Sequence, residues 1–518
     1  MIRNCNILLR RAVNRSTLIS RRYLSSEAIL DRIKQDGLLC ESSIIDGEEV
    51  YGSNTFAVQD PATGGVIGTS PDLSVDSLDQ AIGSSLAAFK TFKRVPGSER
   101  SDMLTRWRNL ILEYADDLAG LITFENGKPF NEAKGEVMYA ASFLSWFAGE
   151  ATRIYGDMIQ PMSNSTVRTI TMLQPIGVVG VITPWNFPAA MITRKVAAAI
   201  AAGCTAVVKP DSETPFTALA LGQLALRAGI PPGVLNIVTT KSSLAEMGKM
   251  LCEDPRVRKI SFTGSTAVGG LLMKQSSSGL KKLSLELGGN APFIVFEDAD
   301  IDQAVSAAIA CKFRGSGQTC VCANRIYVAA QVYDEFVDKL TQAVRTFVVG
   351  NGFADGVTHG PLIHERAIAK VERHVQDAVA LGGRVLVGGS RATGHASELF
   401  FQPTVIRDAT NKMLITHEET FGPVAGIFKF SSEQDAIDAA NDSTVGLASY
   451  VMTKDLSRAF RVAEQLDFGM VGLNTGLISD AAVPFGGVKQ SGFGREGSKY
   501  GIHEYLTVKA VSVGGVVY

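Results

Sequence analysis

A chain of 518 residues, 46% hydrophobic and 20% charged, has ordinary globular composition and is longer than one compact core usually holds, so two large domains are expected. A formal charge of -2 offers no basic face for nucleic acid, and neither a GxxxxGK[ST] phosphate loop nor an HExxH pair occurs, which leaves a small-molecule partner and no metal. Apolar runs such as Val196 to Val208, interrupted by Gly203, fall short of the ~18 residues needed to cross a bilayer, so no membrane partner is expected.

The first 26 residues carry Arg3, Arg10, Arg11, Arg15, Arg21 and Arg22, several serines and no acid before Glu27. This composition reads as a mitochondrial transit peptide and points to the matrix; without such a leader the protein would be cytoplasmic. A secretory signal fits less well, because the apolar run is interrupted by Arg10 and Arg11. Helical periodicity covers Val75 to Phe92 and again Arg100 to Phe124. From about residue 175, short β-branched runs alternate with helical segments: Val178 to Ile182, Thr205 to Val208, Val234 to Val238, Lys259 to Phe262 and Phe293 to Phe296 read as strands. That alternation is the parallel α/β pattern, with ligands at the carboxyl ends of strands. Thr214 is expected to cap a helix that starts at Pro215 and ends at Gly229, Pro231 and Pro232. Tyr333 to Phe347 reads as an amphipathic helix. The seven cysteines are scattered and show no zinc spacing, as in a reducing compartment.

The sharpest chemical signal is Phe313-Arg314-Gly315-Ser316-Gly317-Gln318-Thr319-Cys320-Val321-Cys322. A cysteine in a glycine-rich turn can be approached closely, and its thiolate is a nucleophile. Alone, Cys320 would be read as a buried structural thiol like Cys204 and Cys311. Its company changes that reading. Glu286, before Leu287-Gly288-Gly289-Asn290, stands at a strand end, where a carboxylate raised by burial acts as general base. Thr183-Pro184-Trp185-Asn186-Phe187-Pro188 follows the strand ending at Ile182; its prolines stiffen the loop, and the Asn186 amide can donate to an oxyanion. Gly264-Ser265-Thr266-Ala267-Val268-Gly269 follows another strand and lets a dinucleotide approach a helix start, although its spacing is not GxGxxG.

These motifs, in this order, resemble the aldehyde dehydrogenase superfamily from about residue 45 to the carboxyl end, together with Glu418-Glu419-Thr420-Phe421-Gly422-Pro423 and Pro484-Phe485-Gly486-Gly487-Val488-Lys489-Gln490-Ser491-Gly492. The resemblance implies Cys320 as nucleophile, Glu286 as base, and the Asn186 amide with the Cys320 N–H as oxyanion hole. It implies an NAD or NADP site made by Ile182, Thr183, Pro184, Trp185, Lys209, Ser212, Gly264, Ser265, Thr266, Val268, Gly269, Leu287, Glu419 and Phe421. The implied fold is α/β: a Rossmann-like cofactor domain (27–152 and 177–287), an α/β catalytic domain (288–487) and a small β bridging extension (153–176 and 488–518) that makes a dimer or tetramer.

Within that superfamily, Met191-Ile192-Thr193-Arg194-Lys195, Lys312-Phe313-Arg314, Gly476-Leu477-Ile478-Ser479 and Gly497-Ser498-Lys499-Tyr500-Gly501 resemble the succinate-semialdehyde dehydrogenase group. That resemblance implies a short aldehyde with a distal carboxylate held by Arg194, Arg314 and Ser479, with glutarate semialdehyde as the nearest alternative. Many NAD-specific relatives place a glutamate three residues after the strand-end lysine; here Ser212 stands there beside Lys209, so NADP is expected to be accepted, while Asp211 or Glu213 reaching the ribose diol would keep NAD in favour. Cys320 and Cys322, two apart in what reads as an extended loop, form a reversible disulfide after oxidation of a low-pKa Cys320 only if the loop rearranges; the alternative is a passive Cys322 packed beside the site. A cysteine hydrolase is the rival class, but the six histidines stand in no hydrolase motif. A non-catalytic relative is the other, and intact Cys320, Glu286 and Asn186 argue against it.

Overall fold

Runs of valine, isoleucine and alanine bounded by glycine and proline make strands buried on both faces, the situation of a parallel sheet covered by helices. In the structure, a computed structural model that describes residues 26–163 and 166–516, these runs build two main sheets. The first runs, edge to edge, Glu48–Val50, Ser43–Ile45, Leu235–Ile237, Thr205–Lys209, Val178–Ile182, Val257–Thr263, Lys282–Glu286 and Gly492–Phe493. Its five inner strands from Leu235–Ile237 to Lys282–Glu286 are parallel, and the flanking pairs are antiparallel. The second runs Arg384–Val387, Thr404–Arg407, Val424–Phe430, Ala323–Ala329, Ala291–Val295, Ala448–Met452 and Met470–Leu473, parallel except at its first pair. All five expected strands are present, each shifted by no more than two residues at an end. The segment read as a transit peptide lies, apart from Ser26, outside the described residues.

A third sheet joins Leu506–Val513, Arg168–Pro175 and Met158–Ile159 in antiparallel order. The stretch 488–518, read above as bridging throughout, is divided: Gly492–Phe493 pairs instead with Leu285 and Glu286 at the edge of the first sheet. Gly492 allows this, since its φ is +102° and a Cβ there would meet the Leu285 carbonyl at 1.9 Å.

Two helix expectations need correction. Arg100 to Phe124 is not one helix but two, Gly97–Glu113 and Ala115–Asn126, broken at Tyr114, which leaves helical geometry at φ -98°, ψ 24° with no proline or glycine to announce it. Thr214 occupies the cap position of helix Pro215–Arg227, yet its side chain makes no capping bond. The cap comes from 91 residues away: the buried Glu125 carboxylate accepts from the N–H groups of Phe216 and Thr217, each at 2.9 Å. Burial outweighs these bonds and pushes Glu125 up to about 8. Val75–Phe92 matches expectation residue for residue, and Tyr333–Val344 ends three residues early.

Between the sheets and the active cleft lies helix Ala190–Ala202, every residue of which is buried. Its start is fixed by Glu136, whose carboxylate accepts from the Ala189 N–H at 2.9 Å. This helix carries Arg194 and Lys195 into the interior, where an unpaired cation would be costly.

Candidate active site

Cys320 rides on a loop held in an uncommon backbone shape. Gly315, Ser316 and Gly317 all have positive φ, at 60°, 54° and 75°. Ser316 is the strained member, and its hydroxyl donates to the Gly360 carbonyl at 2.8 Å. Gly317 is required by proximity as well, because a Cβ would meet the Gly422 carbonyl at 2.2 Å; Gly289 likewise lies under the Cys320 carbonyl, 2.2 Å from where its Cβ would be. The Gly315 N–H donates to the buried Glu132 carboxylate at 2.8 Å. Gln318 ties the loop to the next segment, accepting from the Ile363 N–H at 3.0 Å. The nucleophile is thus placed by glycine contacts and distant side chains together.

Glu286 ends its strand, is 2% exposed, and neither carboxylate oxygen finds a partner among the described residues. Burial raises it well above the usual carboxylate range, and the nearby Glu496 charge adds to that. Asn186 donates from Nδ2 to the Gln318 carbonyl at 3.0 Å, which orients the amide and leaves its second hydrogen for another acceptor. The loop before it is pinned from behind: Asn126 donates to the Trp185 carbonyl at 3.0 Å, and Lys128, paired with Glu136, donates to the Asn186 carbonyl at 3.0 Å.

Two cavities meet at Cys320. The larger, of about 420 Å³, is lined by Pro184, Trp185, Asn186, Gly264, Ser265, Leu287, Glu419 and Phe421 among others. Ser265 caps helix Thr266–Ser276 by accepting from the Val268 N–H, so that helix opens beside the cavity. The Glu419 carboxylate accepts from the Gly289 N–H at 3.1 Å, and Phe421 sits edge-on to Trp185 with φ +55°. A helix N-terminus, an apolar slot, a ribose-competent carboxylate and the cations Arg366 and Lys370 fit a nicotinamide dinucleotide. Ile182, Thr183, Lys209, Ser212, Thr266, Val268 and Gly269 do not line this cavity. Lys209 is buried at its strand end, and Ser212 is half-buried just beyond it.

The smaller cavity, of about 20 Å³, brings Arg194, Arg314 and Ser479 together with Cys320, Tyr139, Phe187 and Phe485. Arg194 ion-pairs with Glu496 and lies 4.3 Å over the Phe485 ring; Arg314 lies 5.3 Å over Phe187. Room for about one water means that a substrate enters only as these side chains shift.

A profile described as the aldehyde dehydrogenase family matches residues 50–511. The chain belongs to the aldehyde dehydrogenase family. It is 58% identical over 473 residues to succinate-semialdehyde dehydrogenase [NADP(+)] 1 of Schizosaccharomyces pombe, covering 91% of this chain and 94% of that one. It is 52% identical to glutarate-semialdehyde dehydrogenase of Pseudomonas aeruginosa, covering 94% and 100%. The crystal structure of succinate-semialdehyde dehydrogenase from Burkholderia pseudomallei superposes with a TM-score of 0.90 at 51% identity, covering 92% and 98%.

In this aldehyde dehydrogenase, burial pushes the Cys320 thiol up to about 12, with Arg194 pulling the other way. That direction is opposite to the low-pKa thiol expected from the sequence, because burial of the half-buried Cys320 outweighs the cation. Nor is the loop to Cys322 extended, since the Cys322 N–H donates to the Thr319 carbonyl at 3.0 Å and closes a turn. Cys322 is buried, and its Sγ donates to the Lys312 carbonyl. Tyr139, Phe187, Phe485, Glu496, Arg366 and Lys370 had no place in the sequence reading. Phe187 and Phe485 stood inside quoted motifs, and apolar residues beside reacting groups were the signal to find them. Tyr139 gave no signal, because it lies mid-helix 47 residues before Asn186.

Proposed function

We propose that the protein oxidises succinate semialdehyde to succinate with NADP, through a thioester on Cys320. The observation that carries this reading is the convergence of two arginines and a serine on the pocket that also holds Cys320. A four-carbon chain offers little apolar surface, so its distal carboxylate must supply the selectivity, and guanidinium groups offer it charged donors. The Cys320 thiol gives its proton to solvent water and attacks the carbonyl carbon as the thiolate, and the oxyanion is held by the Asn186 amide and the Cys320 N–H. When bound, the nicotinamide cofactor takes up the hydride of the oxidation. Glu286 then removes a proton from water, which attacks the thioester carbon, releases the acid and returns the proton to the thiol. Glu419 and Phe421 hold the nicotinamide end, and Arg366 and Lys370 face phosphates.

The preference for NADP is supported by Lys209, a buried ammonium pushed down by desolvation that an added phosphate would stabilise. Asp211 accepts from the Glu213 N–H at 3.0 Å, but its charge also acts on Lys209, so it competes with that phosphate for the ammonium. The cofactor and catalytic domain limits are those given by the family resemblance, with Gly492–Phe493 joined to the first sheet and Leu506–Val513 left to the bridging sheet; the amino-terminal segment directs the chain to the mitochondrial matrix, and the third sheet joins copies into a dimer or tetramer. Once the Thr319–Cys322 turn opens, Cys322 captures a Cys320 sulfenic acid formed by peroxide, with loss of water, as a reversible disulfide.

Absorbance of the reduced cofactor, followed with succinate semialdehyde, glutarate semialdehyde and butyraldehyde against NADP and NAD, tests the reading. The expected order is succinate over glutarate semialdehyde by a modest factor, since a methylene is discriminated by only about 1–3 kcal/mol, and both well above butyraldehyde. A kcat/KM for NADP a hundredfold below that for NAD would contradict the cofactor assignment.

A further inference from the structure

Glu496 follows the short strand Gly492–Phe493, and its backbone forms a bridge with Phe485 in which each N–H donates to the other's carbonyl at 2.8 Å. Both residues of that bridge grip Arg194. Phe485 places its ring 4.3 Å from the guanidinium carbon, while Glu496 Oε2 ion-pairs with Arg194 Nε. A carboxylate facing an arginine alone pairs with Nε and Nη2 at once. Here the second oxygen, Oε1, is taken by Nζ of the adjacent Lys195. The Glu496 contact at Nε is an ion pair without hydrogen-bond geometry, and Arg194 Nη2 is buried with no hydrogen-bond partner among the described residues. Both buried cations, Arg194 and Lys195, pair with Glu496, and the buried Glu286 carboxyl acts on both as well, in a pocket shared with Arg314. An orphan guanidinium donor on the wall of this pocket calls for an acceptor, and an anion suits it best.

We propose that Glu496 is a specificity-determining positioning residue: by holding Arg194 at Nε, with Phe485 beneath the guanidinium, it presents Nη2 to the distal carboxylate of the substrate. A planar guanidinium donates only along fixed directions, so fixing Nε fixes where Nη2 points. Lys195 contributes by diverting the oxygen that would otherwise satisfy Nη2. This inference rests on the proposed reading of a carboxylated aldehyde as substrate.

The test compares kcat and KM for succinate semialdehyde and butyraldehyde in the parent, Glu496→Gln, Arg194→Ala and the double variant. The ratio of the two kcat/KM values cancels whatever a substitution does to Cys320 or Glu286, which act on both substrates. Glu496→Gln should lower that ratio about tenfold or more, mainly through a higher KM for succinate semialdehyde. The double variant should fall no further than Arg194→Ala alone, because Glu496 acts through Arg194. An unchanged ratio, or losses that add, overturns the proposal. Should the Gln variant not fold, Glu496→Asp, whose carboxylate is drawn back by one methylene, carries the same comparison with the same expected fall. A parent that does not prefer succinate semialdehyde to butyraldehyde would overturn the substrate reading itself, and this proposal with it.

Discussion

Arg314 reaches the substrate pocket from the loop of the nucleophile, whereas Arg194 reaches it from a buried helix, and the two are expected to fail differently. Replacing Arg314 with alanine should cut kcat/KM for succinate semialdehyde roughly ten- to a hundredfold, the loss of a charged hydrogen bond, and leave butyraldehyde much less affected. Equal losses on both would mean that Arg314 supports the Cys320 loop. For Glu286 the pKa is raised by burial, so the carboxylate form grows as pH rises, and thioester hydrolysis should accelerate with pH to a midpoint well above 4.5. Glu286→Gln should give one burst of reduced cofactor per site and then stall; multiple turnovers would remove Glu286 from the role of base. Residues of this kind were legible in the sequence because their chemistry sits in contiguous motifs: a cysteine among glycines, a carboxylate at a strand end. Glu496 was not legible, since its role comes from a backbone bridge to Phe485 and contacts with Arg194 and Lys195, about 300 residues earlier.

Elements were legible where local pattern decides them. The parallel strands announced themselves as short β-branched runs, and Val75–Phe92 as an uninterrupted helical period. The break at Tyr114 was hidden because no proline or glycine marks it, and the cap of Pro215–Arg227 because it comes from a distant partner. Glu125 supplies that cap from a different helix, and its raised pKa makes the cap pH-sensitive. A carboxyl with a folded-state pKa near 8 binds its proton more tightly folded than unfolded. Its contribution is therefore complete below about pH 4.5 and is lost as pH rises toward 8. Glu125→Gln, which cannot ionise, should flatten the fall in unfolding midpoint over that window; an unchanged slope would show that other groups cause it.

On the scale of the whole molecule, the third sheet is the feature least able to stand alone. It exposes Met158, Ile159, Ile170, Met172, Val508, Val511 and Val513, more apolar surface than three short strands would leave to water without a partner. If copies associate through it, Val508→Asp with Val511→Asp should lower the mass measured by light scattering, while a parent that is already monomeric would remove the bridging role. The central claim, however, is covalent: the acyl group of succinate passes through Cys320. Glu286→Gln enzyme incubated with succinate semialdehyde and NADP, then digested and examined by mass spectrometry, isolates that step. The account predicts one succinyl group on the peptide containing Cys320, formed in step with the burst of reduced cofactor. Reduced cofactor without an adduct, or a succinyl group on any other residue, would contradict it.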